Sequence, residues 1–552
     1  MGIRKKIIGL LLVLIASFIT IYPLFNRGYF PMHDDTQPTR VYEMAKALSD
    51  GQFPVRWVED LGYGYGYPLF NFYAPLPYYI GSLFNIMGVN AIDSSKIMFA
   101  LGMVAAGISM YFFIASMWGI SAGIIGAVLY LYLPYHAIQL YVRGAIGELF
   151  AYSLLPLLAW ALIHLDKKIR SVLVGGVGLA LIILSHNISA LIVLWMLFIA
   201  GCILTLWVLI QRQKLTIIFT FVSIVFFGLG LSAFFWIPAT QEAHLTKVEK
   251  LTEGSNNFKL HFVFPDQLWD SPWGFAGSAV GRQDGMSFKV GKLHLFLAAA
   301  AFFLTLFKGK GKHALFVSLL FISLVLSLYM MTNFSQFIWE LLPKSSFIQY
   351  PWRLLMFAGF FASLTAASIV FIFKNKAVRI GISGMICILM VIFNAKYFAI
   401  QYPLDKTEAA YISPEKIKWD ISKISDEYLP KNFPLPEDKR LLPQTTIIVS
   451  SDIIVQSEEI ESHRRKYQIQ AATDTLATLQ LAYFPGWRIY LDAKELPPTI
   501  KDGLLEVAIP KGNHVLTVVL ANTMWRSLGN VLSLITIFVA VFLYKKLKLL
   551  KA

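Results

Sequence analysis

Long apolar runs separated by short polar stretches occupy most of the chain. A helix needs about 20 apolar residues to cross a hydrocarbon core of about 30 Å, so the pattern predicts a multi-pass, mainly α-helical membrane protein. The runs long enough to consider as spans are Ile7–Phe25, Ala74–Val89, Ile97–Met117, Ile120–Ile138, Ile146–Leu165, Val172–Leu184, Ile188–Ile210, Leu215–Pro238, Leu293–Phe307, Ala314–Met331, Leu354–Phe373, Val378–Phe398 and Ser527–Tyr544.

Basic clusters between these runs predict the orientation of the helices, because Lys and Arg collect in cytoplasmic loops. The clusters are RKK from Arg4, KKIR from Lys167, QRQK from Gln211, KGKGKH from Lys308, KNK from Lys374 and KKLKLLK from Lys545. Two runs separate each later pair of neighbouring clusters, which places both clusters on the same side of the membrane. Five runs separate the first pair. An odd number of crossings would place these two clusters on opposite sides, so one of the five runs does not cross. The weakest is Ala74–Val89, which contains two prolines and two glycines and is predicted to be an interfacial helix. About twelve spans remain, with both termini in the cytoplasm.

This topology predicts three segments on the outer face of the cytoplasmic membrane. Residues 1–398 would form the membrane domain with outer loops at 26–96 and 239–292, residues 399–526 an outer β-rich domain, and residues 527–552 a final helix with a basic cytoplasmic tail. In the third segment the period changes to short β-rich runs such as KYQIQAA and TLATLQLAYF, separated by turn residues. These runs predict a β-sandwich.

Composition agrees with a membrane protein: 57% of the residues are hydrophobic, 15% are charged, and the mean hydropathy is +0.60. The formal net charge of +15 is explained by the basic residues of the cytoplasmic loops. No nucleic-acid partner is therefore expected. Cys202 and Cys387 both lie in apolar runs and are interpreted as small core residues. The first apolar run is too long for a secretory signal and has no small-residue cleavage site after it, so we expect a retained anchor.

The first outer loop begins with YFPMHDDTQPTR, which contains His33, Asp34 and Asp35. Neighbouring side chains point in opposite directions in an extended segment, so one aspartate could act while the other caps the predicted helix that follows. We keep both as catalytic candidates, with His33 as a substrate-binding candidate. ATP and nucleotide sugars are not expected on the outer face, so energy for chemistry there would arrive on a lipid carrier or in the substrate.

Other polar residues fall at the predicted outer ends of spans, where charges are usually turned into a protein cavity or toward water. Glu148 is a further catalytic candidate, with capping or mutual pairing with Arg143 as the alternative. Arg353 could clamp a lipid-linked phosphate through its guanidinium fork, or Trp352 and Arg353 could be an interfacial anchor. The remaining substrate-binding candidates are Arg143, His186, Tyr63 and Tyr65; the alternatives are a turn residue for His186 and an interfacial aromatic belt for the tyrosines.

The acidic pair after the first span, the long first outer loop and the stretch YVRGAIGE resemble the GT-C superfamily of membrane glycosyltransferases. The resemblance implies a first-loop acidic role for Asp34 or Asp35 and a second-loop acidic role for Glu148. Gly147-Glu148 stands where oligosaccharyltransferases have Asp-Asn-Glu, and Trp-Trp-Asp is absent from the chain, so transfer to peptide sequons is not implied. The segments YGYPLFNFYAPLPYY, RGAIGE, QYPWR and YFPGWRIYLDAKELP are similar to the "6-pyruvoyl-tetrahydropterin synthase related" membrane proteins and to the family linked to lipoteichoic-acid glycosylation.

The resulting hypothesis is a GT-C type hexosyl- or pentosyltransferase that moves a sugar from a polyprenyl-phosphate donor to a glycan, lipid or protein acceptor. Asp34 or Asp35 would remove the acceptor proton, while Arg353 and Arg143 would stabilise the leaving phosphate. Asp34, Asp35 and Glu148 could also hold a divalent cation such as Mg or Mn, although so few ligands do not require one. The alternatives are a flippase for lipid-linked glycan and a noncatalytic envelope assembly protein.

Overall fold

The computed structural model describes residues 3–252, 254–308 and 311–549. The basic cluster from Lys308 and the predicted C-terminal tail therefore fall partly outside the described residues. The described helices are α1 Ile3–Ile21, α2 Gln37–Ser49, α3 Leu69–Phe72, α4 Leu76–Ile86, α5 Ala91–Trp118, α6 Ile120–Leu131, α7 Pro134–Ala137, α8 Ile146–Ile163, α9 Ile169–Ser185, α10 Asn187–Ile210, α11 Thr216–Leu231, α12 Ala233–Gln241, α13 Pro265–Trp269, α14 Lys292–Lys308, α15 Lys312–Met330, α16 Gln336–Leu341, α17 Leu355–Ala367, α18 Lys376–Asn394, α19 Ala409–Ile412, α20 Ser422–Ile424 and α21 Met524–Leu549.

Among the described residues, eight helices are long and apolar enough to cross a membrane, or up to ten if each of two bent helix pairs counts as one span. This is fewer than the twelve expected from the apolar runs. The difference lies in α9, which has 17 residues, and in α14, of which 17 residues are described before the gap at 309–310. At 1.5 Å per residue they extend about 25 Å, which is short of the hydrocarbon thickness.

Both bent pairs interrupt an apolar run that the sequence presents as continuous. Helix α6 and the following Pro134–Val142 meet at 48°, and α11 and α12 meet at 75°. The first bend lies at Pro134, which has no backbone N–H to continue the hydrogen bonds of α6. The segment after it includes a π-helical turn, Ile138–Val142, and leads directly into the loop that carries Arg143.

The run Ala74–Val89 forms only the 11-residue helix α4, which is too short to span a bilayer. Helix α4 packs against α2 and α5. Gly81 allows the close contact with α2, because a Cβ at this position would lie only 2.9 Å from a methyl carbon of Val41 in α2. The helix predicted after the aspartates is α2. Its N-cap is Thr36, whose side chain makes no capping hydrogen bond.

The C-terminal region contains two antiparallel sheets, in the strand orders β1-β4-β8-β7 and β2-β3-β9-β5-β6. In β3 the buried residues Arg465, Tyr467, Ile469 and Ala471 alternate with more exposed ones, as expected for a strand with one covered face. The strands are β1 Ile447–Val449, β2 Ile453–Glu461, β3 Arg464–Ala471, β4 Thr475–Ala482, β5 Trp487–Leu491, β6 Lys494–Leu496, β7 Thr499–Lys501, β8 Leu504–Ile509 and β9 Gly512–Leu520.

A buried ion pair fixes the last helix to the rest of the protein. In α21, the Arg526 guanidinium donates to Glu242 Oε2 through Nε at 3.1 Å and through Nη2 at 2.9 Å. Asn71 from the first loop donates to the same oxygen at 2.8 Å, and Arg56 donates to Asn71 and to Asn530 of α21. The first loop, α12 and the final helix are therefore joined by one hydrogen-bonded network.

Candidate active site

The segment that contains the aspartates lies along the loop between the π-helical turn and α8. The backbone N–H of His33 donates to Val142 O at 3.1 Å, and that of Asp34 donates to Arg143 O at 2.9 Å. Gly144 has a φ of +65°, and a Cβ at this position would lie 2.2 Å from Met32 Sδ. A glycine is needed there because a side chain would both strain the backbone and push the two segments apart.

Arg143 and Glu148 form a buried ion pair inside this loop. Arg143 Nη1 donates to Glu148 Oε2 at 2.7 Å and to the Tyr135 hydroxyl at 3.2 Å, and the Tyr135 hydroxyl in turn donates to Glu148 Oε1. The exposed fraction is 8% for Arg143 and 1% for Glu148. The Arg143 guanidinium also lies 4.7 Å from the ring centroid of Trp352. The loop end of α8 is thus tied to the segment before α17.

Arg353 and His186 lie next to this pair. Arg353 Nη2 donates to Gln349 Oε1 at 3.2 Å, and its Nη1 lies 3.5 Å from His186 Nε2. The Glu148 carboxylate is within electrostatic range of both side chains. Gly147 allows this approach, because a Cβ there would lie 2.5 Å from Ser185 O. We call Tyr135, Arg143, Glu148, His186 and Arg353 the ion-pair cluster.

The cluster contains a buried hydrogen-bond donor without an acceptor. His186 Nδ1 contacts the backbone N–H of Ser189 at the start of α10 and lies 2.8 Å from the Ser189 hydroxyl oxygen. Burial and the nearby Arg353 lower the pKa of His186 to about 3, which keeps the ring neutral at physiological pH. With the ring proton on Nδ1, Arg353 Nη1 can donate to the unprotonated Nε2 of His186 across 3.5 Å. Arg353 Nε is buried without a hydrogen-bonding partner among the described residues.

The two adjacent aspartates have different surroundings. Asp35 Oδ2 accepts the Tyr411 hydroxyl at 3.4 Å and lies 3.6 Å from Lys406 Nζ. Burial raises the pKa of Asp35, against the opposing effect of Lys406. The Asp34 carboxylate makes no hydrogen bond or ion pair with the described residues, although it is near enough to Arg143 to interact electrostatically. Only Asp34 is thus left unengaged beside the cluster.

Other predicted substrate-binding residues lie elsewhere. His33 Nε2 donates to Phe275 O at 3.1 Å, which connects the first loop to the 239–292 loop. Tyr63 is buried, with its ring edge-on to Trp419. The Tyr65 ring packs against Phe433. The structure therefore brings Arg143, Glu148, His186 and Arg353 together beside Asp34, and places both tyrosines against residues from the segment before β1.

The three candidate carboxylates do not converge on one point. Glu148 is engaged by Arg143 and Tyr135, while Asp35 is engaged by Tyr411 and Lys406. Across the part of the chain that the structure describes, no group of three or more His, Cys, Asp or Glu side chains could hold a metal ion. These residues do not fit a divalent-cation site, and no chemical step is assigned to one below.

Several site residues could not be singled out from the sequence. Tyr135 lay inside an apparently continuous apolar run, in which Pro134 was the only sign of a break. Gln349 opened the motif around Arg353 but had no assigned partner. Lys406 and Tyr411 lie more than 370 residues from Asp35, and nothing local to them indicates the contact. A proline in an apolar run next to a polar loop was the one usable signal.

Residues 70–401 match the family model described as "6-pyruvoyl-tetrahydropterin synthase related domain; membrane protein". The chain belongs to this family. The family match covers well over half of the chain and includes the whole ion-pair cluster. The matched region begins after Asp34 and Asp35 and ends before the two sheets. The two aspartates and the sheets therefore lie outside the matched region.

No curated protein matches the sequence. Three solved structures illustrate the similarity. The mycobacterial arabinofuranosyltransferase AftD is 16% identical; the match covers 74% of this chain and 28% of AftD, with a TM-score of 0.44. The archaeal oligosaccharyltransferase AglB from Archaeoglobus fulgidus, in complex with an inhibitory peptide and a dolichol-phosphate, is 13% identical. The match covers 80% of this chain and 62% of AglB, with a TM-score of 0.40. ArnT from Cupriavidus metallidurans, bound to undecaprenyl phosphate, is 10% identical. The match covers 67% of this chain and 78% of ArnT, with a TM-score of 0.33. At these values the similarity carries no argument about function.

Proposed function

We propose that this chain is a membrane glycosyltransferase that moves a sugar from a polyprenyl-phosphate donor to an acceptor hydroxyl. The observation that carries the proposal is the unequal charge of the ion-pair cluster. Two buried guanidinium groups, Arg143 and Arg353, share one buried carboxylate, Glu148, and the half-buried Asp34 lies in electrostatic range of Arg143. A buried charge without a partner is costly, so the cluster is suited to an anionic ligand.

The free donor of the cluster indicates which kind of anion fits. Arg353 Nε has no hydrogen-bonding partner among the described residues, and the Nη1 of the same guanidinium makes only a long contact of 3.5 Å with His186 Nε2. A phosphate oxygen beside Arg353 would accept the hydrogen bond from Nε. Planar guanidinium groups suit phosphate because they donate two parallel N–H bonds. The same donors would stabilise the negative charge that develops on a leaving phosphate.

Asp34 supplies the base in this proposal. Its carboxylate is the unengaged acid beside Arg143, whereas Asp35 is bonded to Tyr411. The acceptor oxygen would bond to the anomeric carbon as the bond from that carbon to the phosphate oxygen breaks. The polyprenyl phosphate would leave with the electron pair, and the acceptor proton would pass to Asp34. Asp35 would position the segment through Tyr411 and Lys406.

The site would lie on the outer side of the cytoplasmic membrane, in a GT-C-like bundle. This placement follows from the basic clusters at Lys167 and Gln211, which are expected in the cytoplasm, while Glu148 lies in the first turn of α8, at the other end of that helix. In the same proposal α9 and α14 cross the membrane as short, locally matched spans, which gives twelve in all. The two C-terminal sheets would face each other as a sandwich above the outer surface.

A lipid-glycan carrier is the second candidate, because the chain contains two broken helices. One of them, Pro134–Val142, leads into Arg143, and the other joins α11 to α12 at 75°. Discontinuous helices next to a charged site are common in transporters. In a carrier the ion-pair cluster would bind the lipid phosphate during its movement between leaflets, and Asp34 would have no chemical role.

Transfer and transport can be separated in liposomes that contain the purified protein and labelled polyprenyl-phosphate sugars. The compared proteins are wild type, Asp34→Asn, Asp35→Asn and the control Asp405→Asn, which changes an exposed acid without a described side-chain partner. We expect Asp34→Asn to abolish transfer while donor binding persists, and Asp405→Asn to match wild type. Full transfer by Asp34→Asn would disprove the base assignment, and lipid movement without transfer by wild type would establish the carrier.

A further inference from the structure

A cavity lies far from the ion-pair cluster, at the other end of α8. It has a volume of about 360 Å³ and opens between α1, α5, α8 and α9. Its wall residue Trp160 follows Glu148 by 12 residues on the same helix, which corresponds to about 18 Å along the axis. This cavity therefore belongs to the opposite, basic end of the helical domain.

The lining of the cavity divides into an apolar wall and a cationic edge. Helices α5, α8 and α9 supply mainly apolar and aromatic side chains, including Phe112, Leu157 and Val174, while Lys6 and Arg170 provide positive charge and no carboxylate contributes. The Tyr111 hydroxyl donates to Lys6 O at 3.0 Å and so fixes the start of α1 beside the cavity.

The cations at this edge lack acidic partners. Neither Lys6 nor Arg170 forms an ion pair with any residue of the described ranges, and the same holds for Lys167. Arg170 and Lys167 instead lie over Trp160, 5.0 and 5.2 Å from its ring centroids. A tryptophan beside basic residues at the end of a span is typical of the lipid headgroup region. The positive charge is thus available to an external anion.

We infer that this cavity binds an anionic phospholipid. Its phosphate would lie against Lys6 and Arg170, and one acyl chain would follow the apolar wall. Basic pockets between membrane helices recognise anionic headgroups in this manner. Phe112 is 50% exposed, so the apolar wall continues onto the helix surface that faces lipid, which suits a lipid better than a soluble anion. The inference does not depend on the reaction proposed above.

The test compares the lipids that remain bound to the full-length protein after extraction from vesicles of equal parts phosphatidylglycerol and phosphatidylcholine, measured by native mass spectrometry. Wild type should retain phosphatidylglycerol preferentially. Each of Lys6→Gln and Arg170→Gln should lower the retained phosphatidylglycerol about fivefold, since a basic residue near an anionic surface contributes about 1 kcal/mol. Arg170→Lys keeps the charge and should keep most of the retention.

The matched control is Arg212→Gln, which removes an exposed positive charge from the turn between α10 and α11, outside the cavity. It should retain phosphatidylglycerol like wild type. An equal loss in this control would show a general charge effect and overturn the site. Equal retention of both lipids by wild type, or unchanged retention by Arg170→Gln and Lys6→Gln, would also overturn it. Thermal unfolding of each variant in the same detergent confirms that it is folded.

Discussion

Arg143 Nη1 lies 2.7 Å from Glu148 Oε2, and both side chains are shielded from water. The pair closes a short loop between the π-helical turn and α8, so the direction in which α8 begins depends on it. Arg143 also carries the backbone carbonyl that holds Asp34. One ion pair therefore sets both the charge of the cluster and the position of the neighbouring aspartate.

Glu148→Gln should destabilise the protein strongly, because it leaves Arg143 and Arg353 buried without a counter-charge. Removing one partner of a buried pair costs about 3–5 kcal/mol. Unfolding in detergent, followed by near-UV circular dichroism, measures the change. Glu459→Gln is the control, since its carboxylate forms an exposed ion pair whose loss should cost less than about 1 kcal/mol. Equal stability of the two variants would refute the importance of the buried pair.

Arg353→Lys and Arg353→Gln should both weaken binding of polyprenyl phosphate at least about tenfold, because lysine cannot reproduce the planar donor fork. Competition between a labelled donor and unlabelled polyprenyl phosphate gives the affinity. Arg440→Lys, an exposed substitution in the segment before β1, should leave it unchanged. If Arg353→Lys bound as tightly as wild type, a point charge would suffice and the fork geometry would be irrelevant.

The protein should lose stability as the pH falls below about 6.5, in part through His186. Its pKa is lowered to about 3 in the folded protein, whereas an unfolded histidine titrates near about 6.5. The unfolded chain therefore takes up a proton that the folded chain excludes, and the contribution is present above the unfolded pKa and lost toward pH 3. Melting temperatures at pH 7 and pH 4.5 measure this. His186→Asn keeps a residue suited to the N-cap and should show a smaller drop; an identical drop would contradict the assignment.

Arg526→Met should release the last helix from α12, because Glu242 would then be a buried carboxylate without its cation. The expected loss is about 3–5 kcal/mol, and replacing Glu242 as well, in Arg526→Met/Glu242→Leu, should restore much of it. Denaturant unfolding of the two variants and wild type tests the pair. Lys546→Met, at the exposed end of α21, is the control. A double variant no better than the single one would show that the pair is not the main contact.

The sequence predicted the elements whose signal is local. The apolar runs locate the long helices, and the β-rich runs of the C-terminal region correspond to β1–β5, β8 and β9. Strands β6 and β7 have three residues each and were not predicted, because so short a segment shows no alternation. The run Ile120–Ile138 was predicted as a span, and in the structure it is a bent pair in which Pro134 starts a new segment 48° away. Hydropathy averages over such a break and cannot show it.

The charged residues of the ion-pair cluster were among the candidates at span ends, and the pairing of Arg143 with Glu148 was one of the expected alternatives. The contacts of Arg353 with His186 and Gln349 were not predicted. Arg143, Glu148, His186 and Arg353 were all candidates, because polar groups beside apolar helices are costly without a purpose. The different surroundings of Asp34 and Asp35 depend on Lys406 and Tyr411, which come from a distant segment. Such a distinction is a property of tertiary structure, and adjacent identical residues carry no local information about it.

The strand-like pairing of Tyr29 with Leu404, in which each backbone N–H donates to the other residue's carbonyl, has a consequence for the order of biosynthesis. The ribosome makes Tyr29 early and Leu404 only after the helices through α18 have been synthesised. Since chains emerge from the N-terminus onward, the pairing of Tyr29 with Leu404 can form only after most of the helices have been synthesised. A nascent chain that ends before Leu404 would thus contain every residue of the ion-pair cluster but lack Lys406 and Tyr411, so the contacts of Asp35 are completed late.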